Sequence, residues 1–324
     1  MMSNSTKTNF PLVSIVIPVY NGANFIQEAI DSALNQTYRN IEVLVVDDGS
    51  NDNNETKNIL MSYGDKIRCV FKSNGGVASA LNKGISSMKG DYFSWLSHDD
   101  VYLPNKVETQ VKFLSKCKED TILYSGFSVI NSNSDIMYYV LNNEVNNKRF
   151  ILDLLCFSGI GGCTTFIPKS CFETVGFFSE KLLHVQDIDF WIRASKHFRF
   201  KYINRNLVQT RLHEKQTSNV DNVEQKLEKE EYFINVLRNE ESINFNILNY
   251  YPIVHWIAKR QFYNKILEYI CKCEVNERNA MGYVDKLIFY LKIRLLLTSS
   301  FMMLIMKYVR SKVFKSFYRI YTPK

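Results

Sequence analysis

Two apolar, β-branched runs separated by one amphipathic helix constrain this chain more than any other feature. Val13 to Val19 (VSIVIPV) and Ile41 to Val46 (IEVLVV) have the composition of strands buried on both faces. Between them, Asn24 to Asn35 places Phe25, Ile26, Ala29, Ile30, Ala33 and Leu34 on one helical face. Strand, helix and strand at this spacing predict a βαβ unit with parallel strands and a right-handed crossover. A parallel sheet binds its ligands outside the carboxyl ends of its strands. The residues at those ends therefore decide what such a sheet can hold.

Acidic pairs stand at two of them. The second run closes in Asp47-Asp48-Gly49-Ser50. A third, Tyr92 to Leu96, closes in Ser97-His98-Asp99-Asp100, with Pro104 four residues beyond. Ionised carboxylates at the end of a buried strand are costly unless they meet water, a cation or hydrogen-bond donors. The second cluster alone reads either as a solvated acidic turn or as a ligand for a divalent metal that in turn holds a diphosphate. Two acidic pairs on one sheet edge favour the ligand.

The rest of the first 219 residues continues the pattern. Helices are predicted at about 53–62, 77–88 and from Pro104, which suits a first helical turn, to about 116. Strands are predicted at 67–71, 122–130, 136–141, 200–203 and 207–212, with a strand end at Phe166-Ile167-Pro168 before a helix. Lys72 to Gly76 (KSNGG) is a loop rich in turn residues. His184 to Arg193 begins another helix, with Ile188, Trp191 and Ile192 toward the core and acids near its positive end. From Val220 the sequence turns to charged and then aromatic-rich helix. The expected architecture is α/β: a Rossmann-like, mainly parallel sheet flanked by helices, with a helical C-terminal extension. The parts are a disordered tail at 1–10, a catalytic domain at 11–219 and a helical region at 220–324.

Seven scattered cysteines include no C-x-x-C pair and no zinc-finger spacing, so reduced thiols in the cytoplasm are expected. The polar N-terminus carries no apolar signal core. Charge is concentrated at the other end. Residues 283–324 hold nine lysines and arginines against one acid, Asp285, enough to account for the whole formal net charge of +7. Leu287 to Met306 approaches the length of a bilayer span, but Lys292 and Arg294 interrupt it on nearly opposite faces. Val309, Val313, Phe317 and Ile320 form an apolar stripe beside Lys312, Lys315 and Arg319. That pattern suits a helix lying on an anionic membrane surface, with packing on the protein or a nucleic-acid contact as alternatives. The membrane reading places the chain on the inner face of the plasma membrane, with no nucleic-acid partner.

Pro18-Val19-Tyr20-Asn21, Val46 to Ser50 (VDDGS), Asn74 to Ile85 (NGGVASALNKGI), Asp99-Asp100 and Gln186-Asp187 occur in a familiar order and spacing. Over about residues 11–215 the chain resembles the large inverting family 2 of bacterial nucleotide-sugar glycosyltransferases, which have the GT-A fold. The resemblance implies that Pro18, Tyr20, Asn21, Asp47, Asp48, Gly75, Gly76 and Asn82 line the nucleotide and donor site. It implies a metal motif Asp-x-Asp, here altered to Ser97-His98-Asp99, with Asp100 following. Asp99 is then the principal ligand for Mn²⁺ or Mg²⁺, and Ser97 and His98 lie against the donor. His98 adds either nitrogen ligation or a structural hydrogen bond. Gln186-Asp187 stands where the family carries Glu-Asp. Asp187 is the expected general base, Asp189 its competitor and Gln186 an acceptor contact. Arg211-Leu212-His213, followed by Gln216-Thr217-Ser218, resembles the block that closes the donor site, with His213 completing the metal shell.

The implied activity is transfer of a sugar from a nucleotide-diphosphate donor, a UDP-sugar, to a glycan or lipid-linked acceptor in capsule or lipopolysaccharide assembly. Two alternatives come from other classes. One is a sugar-nucleotide-binding protein without catalysis, suggested by Ser97 and Gln186. The other is a scaffold of a polysaccharide assembly complex, suggested by the basic tail.

Overall fold

The computed structural model describes residues 10–213, apart from 118–119, 142–143, 146, 148–149, 152–153 and 155–159, together with 228, 231–232, 235–236 and 319–321. The predicted tail at 1–10 (except Phe10), the domain boundary near 220 and nearly all of the C-terminal region lie outside the described residues. The chain divides into two compact units, one of Met1–Leu154, Ser158–Lys229 and Ile320–Lys324, the other of Leu155–Phe157 and Glu230–Arg319. The site described below belongs to the first.

That unit holds two sheets. In the first, β1 (Val13–Val19), β2 (Ile41–Asp47), β3 (Arg68–Phe71), β4 (Tyr92–Trp95) and β8 (Ile167–Pro168) run in the order β3-β2-β1-β4-β8. β1 pairs in parallel with β2 and β4, β2 with β3, and β8 closes the edge antiparallel to β4. Every residue of β1 is buried, as its unbroken apolar sequence requires. Helix α1 (Ile26–Leu34) buries Ile26, Ala29, Ile30 and Ala33. Helix α3 (Gly76–Ser87) lies so close to β1 that a Cβ on Gly84 would stand 2.3 Å from a methyl of Val16. Helix α2 (Glu55–Ser62) links β2 to β3.

The second sheet begins directly after the acidic turn. β5 (Val101–Tyr102), β6 (Thr121–Ile130), β7 (Ile136–Leu141), β9 (Arg199–Arg211) and β10 (Arg319–Tyr321) run in the order β10-β7-β6-β9-β5. Three local expectations are corrected. The two strands expected at 200–203 and 207–212 are one, β9, because a bulge absorbs the exposed Asn204 and Arg205 where Ile203 pairs with Ser125 and Asn206 with Gly126. Helix α4 (Lys106–Leu114) starts two residues after Pro104, whose carbonyl instead accepts the Thr37 N–H. Arg319 and Ile320, expected in a basic helix, lie in β10.

Helices α5 (Lys169–Val175) and α6 (Gln186–Ala194) are held by an aromatic cluster of Phe93, Trp95, Phe172, Phe178, Phe190 and Trp191, with ring centroids 4.6–6.4 Å apart. Burying each such ring stabilises the fold by roughly 1.5–3 kcal/mol. Phe178 touches Trp95 at the end of β4, so the cluster ties α6 to the strand that carries the acidic turn. Among the described residues, Cys69, Cys117, Cys163 and Cys171 are free thiols, and no helix is long and apolar enough to cross a membrane.

Candidate active site

The parallel sheet brings both acidic strand ends to one edge. Asp47 is the last residue of β2, opposite Val19 of β1, and β4 lies on the other side of β1. The two ends are thus two strand spacings apart, roughly 10 Å. The Asp48 N–H donates to the Val19 carbonyl at 2.8 Å, so the chain leaves β2 still attached to β1.

Around Asp47 and Asp48 the turn is over-determined. Asp47 Oδ1 accepts the Ser50 N–H at 2.8 Å, and Ser50 Oγ accepts the Asn21 N–H at 2.9 Å. Asn21, in the left-handed region at φ 50°, exchanges two hydrogen bonds with Asn51. Gly49 has φ 75°, and a Cβ there would meet the Asn74 nitrogen at 2.7 Å, so no side chain fits. Tyr20 stands exposed beside this turn, its hydroxyl 3.4 Å from Asn51 Oδ1. These residues form an open rim with an aromatic face. Pro18 lies inside β1, buried opposite Val46, behind the rim.

Asp48 looks inward. Its carboxylate, 3% exposed, accepts the Gly75 N–H at 3.1 Å, the Gly76 N–H at 2.7 Å and the Lys72 ammonium at 2.6 Å. An acid at the N-terminal end of α3 is favoured by the helix dipole. The geometry therefore makes Asp48 the brace of the Lys72–Gly76 loop. Asn82 is similarly committed: its amide donates to Phe178 O and Glu180 Oε1 and accepts the Phe178 N–H. It clamps the 178–180 loop onto α3.

The second acidic cluster is built by four segments. The Asp100 N–H closes a turn onto Ser97 O. Ser97 holds Cys163 Sγ twice, through its N–H at 3.3 Å and its hydroxyl at 3.2 Å. Asp99 is 7% exposed, and its Oδ2 lies 3.0 Å from His213 Nε2. Asp100 is fully enclosed; it accepts the Arg211 N–H at 3.0 Å and shares a hydrogen bond with Cys163. Burial, then the neighbouring charge of Asp99, pushes Asp100 up to about 8. The shift favours the protonated form, which relieves the repulsion of adjacent carboxylates. The His98 ring packs on Gly22, where a Cβ would stand 2.6 Å from its Cδ2. Burial lowers the His98 pKa; Asp99 opposes the shift and His213 adds to it. His98 thus joins the rim at the end of β1 to the acidic turn.

These residues fit a divalent ion. Asp99 Oδ2 and His213 Nε2 converge as one oxygen and one nitrogen donor. Among the described residues there is no group of three or more potential ligands. Asp99 and His213 are the two residues that would hold such an ion, an oxygen and a nitrogen donor, with the rest of its shell left to groups from outside the protein. The imidazole would suit Mn²⁺.

The third group stands at the start of α6. Gln186 is 7% exposed, and its buried Oε1 has no hydrogen-bond partner among the described residues. Asp187 is half-buried in the first turn, its Oδ1 accepting the Ile188 N–H at 2.7 Å. Asp189 pairs with Arg193 at 2.8 Å, and that guanidinium also donates to Val175 O and Phe177 O. Asp189 thereby braces the approach to α6.

Sequence reasoning missed Lys72, Cys163, Glu28 and Gly22. Lys72 lies in a segment read only as a loop, Cys163 in a stretch of small residues, and Glu28 in the first turn of α1. Spacing carries no trace of partners that lie 24 to 183 residues away.

Residues 14–170 match Glycosyl transferase family 2. A glycosyltransferase of Rickettsia typhi is 48% identical over 65% of this chain and 67% of its own length. One of Rickettsia felis is 50% identical over 64% of this chain. The chain spans only about a third of that relative's length, 35%. The chondroitin synthase of Pasteurella multocida is 31% identical over 80% of this chain and 26% of its own length. Among solved structures, S. aureus TarS 1-349 in complex with UDP superposes with a TM-score of 0.56 at 16% identity, covering 79% of this chain and 73% of its own. That likeness shows the GT-A fold. With the sheet, the acidic strand ends and these relatives together, the chain belongs to glycosyl transferase family 2.

Proposed function

We propose that the chain is an inverting, metal-dependent hexosyltransferase. Its donor is a nucleotide-diphosphate sugar, a UDP-sugar, and its acceptor a hydroxyl of a glycan or lipid-linked saccharide in surface polysaccharide biosynthesis. The observation that carries this reading is the Asp99–His213 pair on the same sheet edge as the Asp47–Asp48 turn. Solved TarS complexes with UDP and UDP-GlcNAc support a UDP-linked donor on this fold.

In this reading the nucleotide lies on the rim of Tyr20, Asn21 and Asp47. The Gly75 and Gly76 N–H groups are already bonded to Asp48, so these glycines contribute a close backbone surface rather than donors. Asp99 and His213 would hold Mn²⁺ or Mg²⁺, which supplies positive charge against the diphosphate as it leaves. Asp187 accepts the proton of the acceptor hydroxyl while that oxygen attacks the anomeric carbon from the face opposite the leaving group. One displacement inverts the configuration. Gln186 Oε1, buried and without a hydrogen-bond partner among the described residues, is the acceptor this reading assigns to a sugar hydroxyl. The basic C-terminal segment would hold the enzyme on an anionic membrane surface at the inner face of the plasma membrane.

The test is hydrolysis of a panel of nucleotide sugars with added Mn²⁺. Asp99→Ala should abolish metal-dependent turnover, and unchanged activity would remove the metal site. Asp187→Asn should keep nucleotide binding and lose transfer; wild-type rates would reject it as the base. Deleting residues 283–324 should release the protein from anionic vesicles, and persistent binding would contradict the membrane assignment.

A further inference from the structure

The resemblance places Arg211 in the block that closes the donor site, but its side chain is 1% exposed and its guanidinium donates to acceptors of the protein. Nε donates to the Asp99 carbonyl at 2.9 Å. One terminal nitrogen donates to the Asn131 carbonyl at 3.1 Å and to Ser134 Oγ at 2.9 Å. The other forms an ion pair with Glu28 of α1. The guanidinium also lies over the Phe25 ring, 4.5 Å from its centroid. The backbone N–H of the same residue holds the Asp100 carboxylate. A buried charge is tolerated when its hydrogen bonds are met in this way.

Residues two apart on an extended chain share a face. Arg211 and His213 use that alternation to hold one residue at two points. Arg211 takes the main-chain carbonyl of Asp99, and His213 takes its carboxylate. The far side of Arg211 is equally fixed. Ser134 Oγ accepts from Arg211 and donates to Glu28 Oε1 at 2.9 Å. The turn that carries Ser134 is tied by Asn131, which bonds Asp135 through both side-chain atoms.

We infer that Arg211, itself held by Glu28 and Ser134, is a positioning residue that fixes the Asp99 main chain, and so aims its carboxylate at metal and diphosphate, from behind the acidic turn and without touching the donor. The inference rests on the proposed metal site, so its test separates the two.

Mn²⁺ binding in the presence of UDP would be measured by electron paramagnetic resonance of the free ion. The full chain, R211K and E28Q would be compared, each checked by thermal melt, with UDP binding also measured without metal. Lysine keeps the charge but loses the Nε donor and the planar fork. Loss of such outer support typically costs about 10- to 100-fold in metal affinity. R211K should therefore weaken Mn²⁺ binding by about that factor, leave metal-free UDP binding unchanged and lower kcat more than it raises the donor KM. E28Q should give a smaller loss in the same direction. Folded R211K that binds Mn²⁺ like wild type would overturn the inference while leaving the metal site standing. If R211K fails to fold, unchanged Mn²⁺ affinity in folded E28Q overturns it equally. No Mn²⁺ binding by the wild-type chain would overturn the metal site itself.

Discussion

Replacing Asp48 by asparagine separates two accounts of the same residue. If Asp48 contacts the nucleotide directly, Asp48→Asn loses nucleotide affinity at nearly constant stability. The structure requires both to change. Three donors converge on this carboxylate: Lys72 at 2.6 Å, Gly76 N–H at 2.7 Å and Gly75 N–H at 3.1 Å. An asparagine amide can accept with its oxygen only, so one donor faces an NH₂ group. The Lys72 ammonium, with its side chain 18% exposed, loses its carboxylate and keeps the Ser73 carbonyl. Hydrogen bonds to charged groups are worth about 1.5–3 kcal/mol each, and two are lost or weakened, so about 3 kcal/mol of unfolding free energy should disappear. For a unit of about 200 residues that lowers Tm by roughly 6–12 °C. Chemical denaturation and UDP titration calorimetry on one preparation would read both quantities. A double-mutant cycle with Lys72→Met should recover most of the stability loss as coupling. The reasoning is refuted if Asp48→Asn is as stable as wild type while UDP binding collapses.

Two further perturbations probe the framework beneath the site. Gly84→Ala places a methyl 2.3 Å from Val16 in the buried strand β1. Overpacking of about 1–3 kcal/mol should outweigh the roughly 1 kcal/mol that alanine gains in a helix; a stabilised variant in a denaturant titration would show that α3 stands further from the sheet. Lys106 is fully buried on Ser94, Gln110 and the Tyr102 ring, and burial pushes its pKa from 10.5 down to about 7, with Cys163 opposing. Between pH 7 and 10.5 the unfolded chain therefore holds more proton at this site, so its contribution raises stability with pH through that window and is lost as pH falls through about 7. Asp100 acts in the opposite sense but is common to both proteins, so wild type minus Lys106→Met isolates the lysine. Parallel stability-against-pH curves would contradict the assignment.

Much of this was legible in the chain. The parallel strands read clearly because residues buried on both faces form unbroken apolar runs, as in VSIVIPV. The acidic ends read because carboxylates after such runs demand a partner. Asp48 was harder: the sequence shows a carboxylate at the sheet edge, but only the fold shows that two backbone N–H groups and Lys72 point at it. Asn82 sits within a recognisable block, yet its amide is spent on the 178–180 loop. Cys163 lies in a glycine-rich stretch with no signal of its own, and it is the partner of Ser97, the position where the family's first aspartate is missing. Asn204-Arg205-Asn206 reads as a turn, but a bulge lets β9 continue through it to deliver Arg211 and His213 to Asp99. In each case the deciding partner lies far away in sequence, where local pattern carries no trace of it.

The central claim is that Asp99 and His213 grip, through one cation, the diphosphate of a nucleotide resting on the rim of Tyr20, Asn21 and Asp47. Anomalous diffraction from crystals grown with Mn²⁺ and UDP tests it most directly. A single manganese peak within ligand distance of Asp99 and His213, bridging to the diphosphate, is the expected result. UDP bound at the rim with manganese elsewhere, or with no manganese at all, would contradict it.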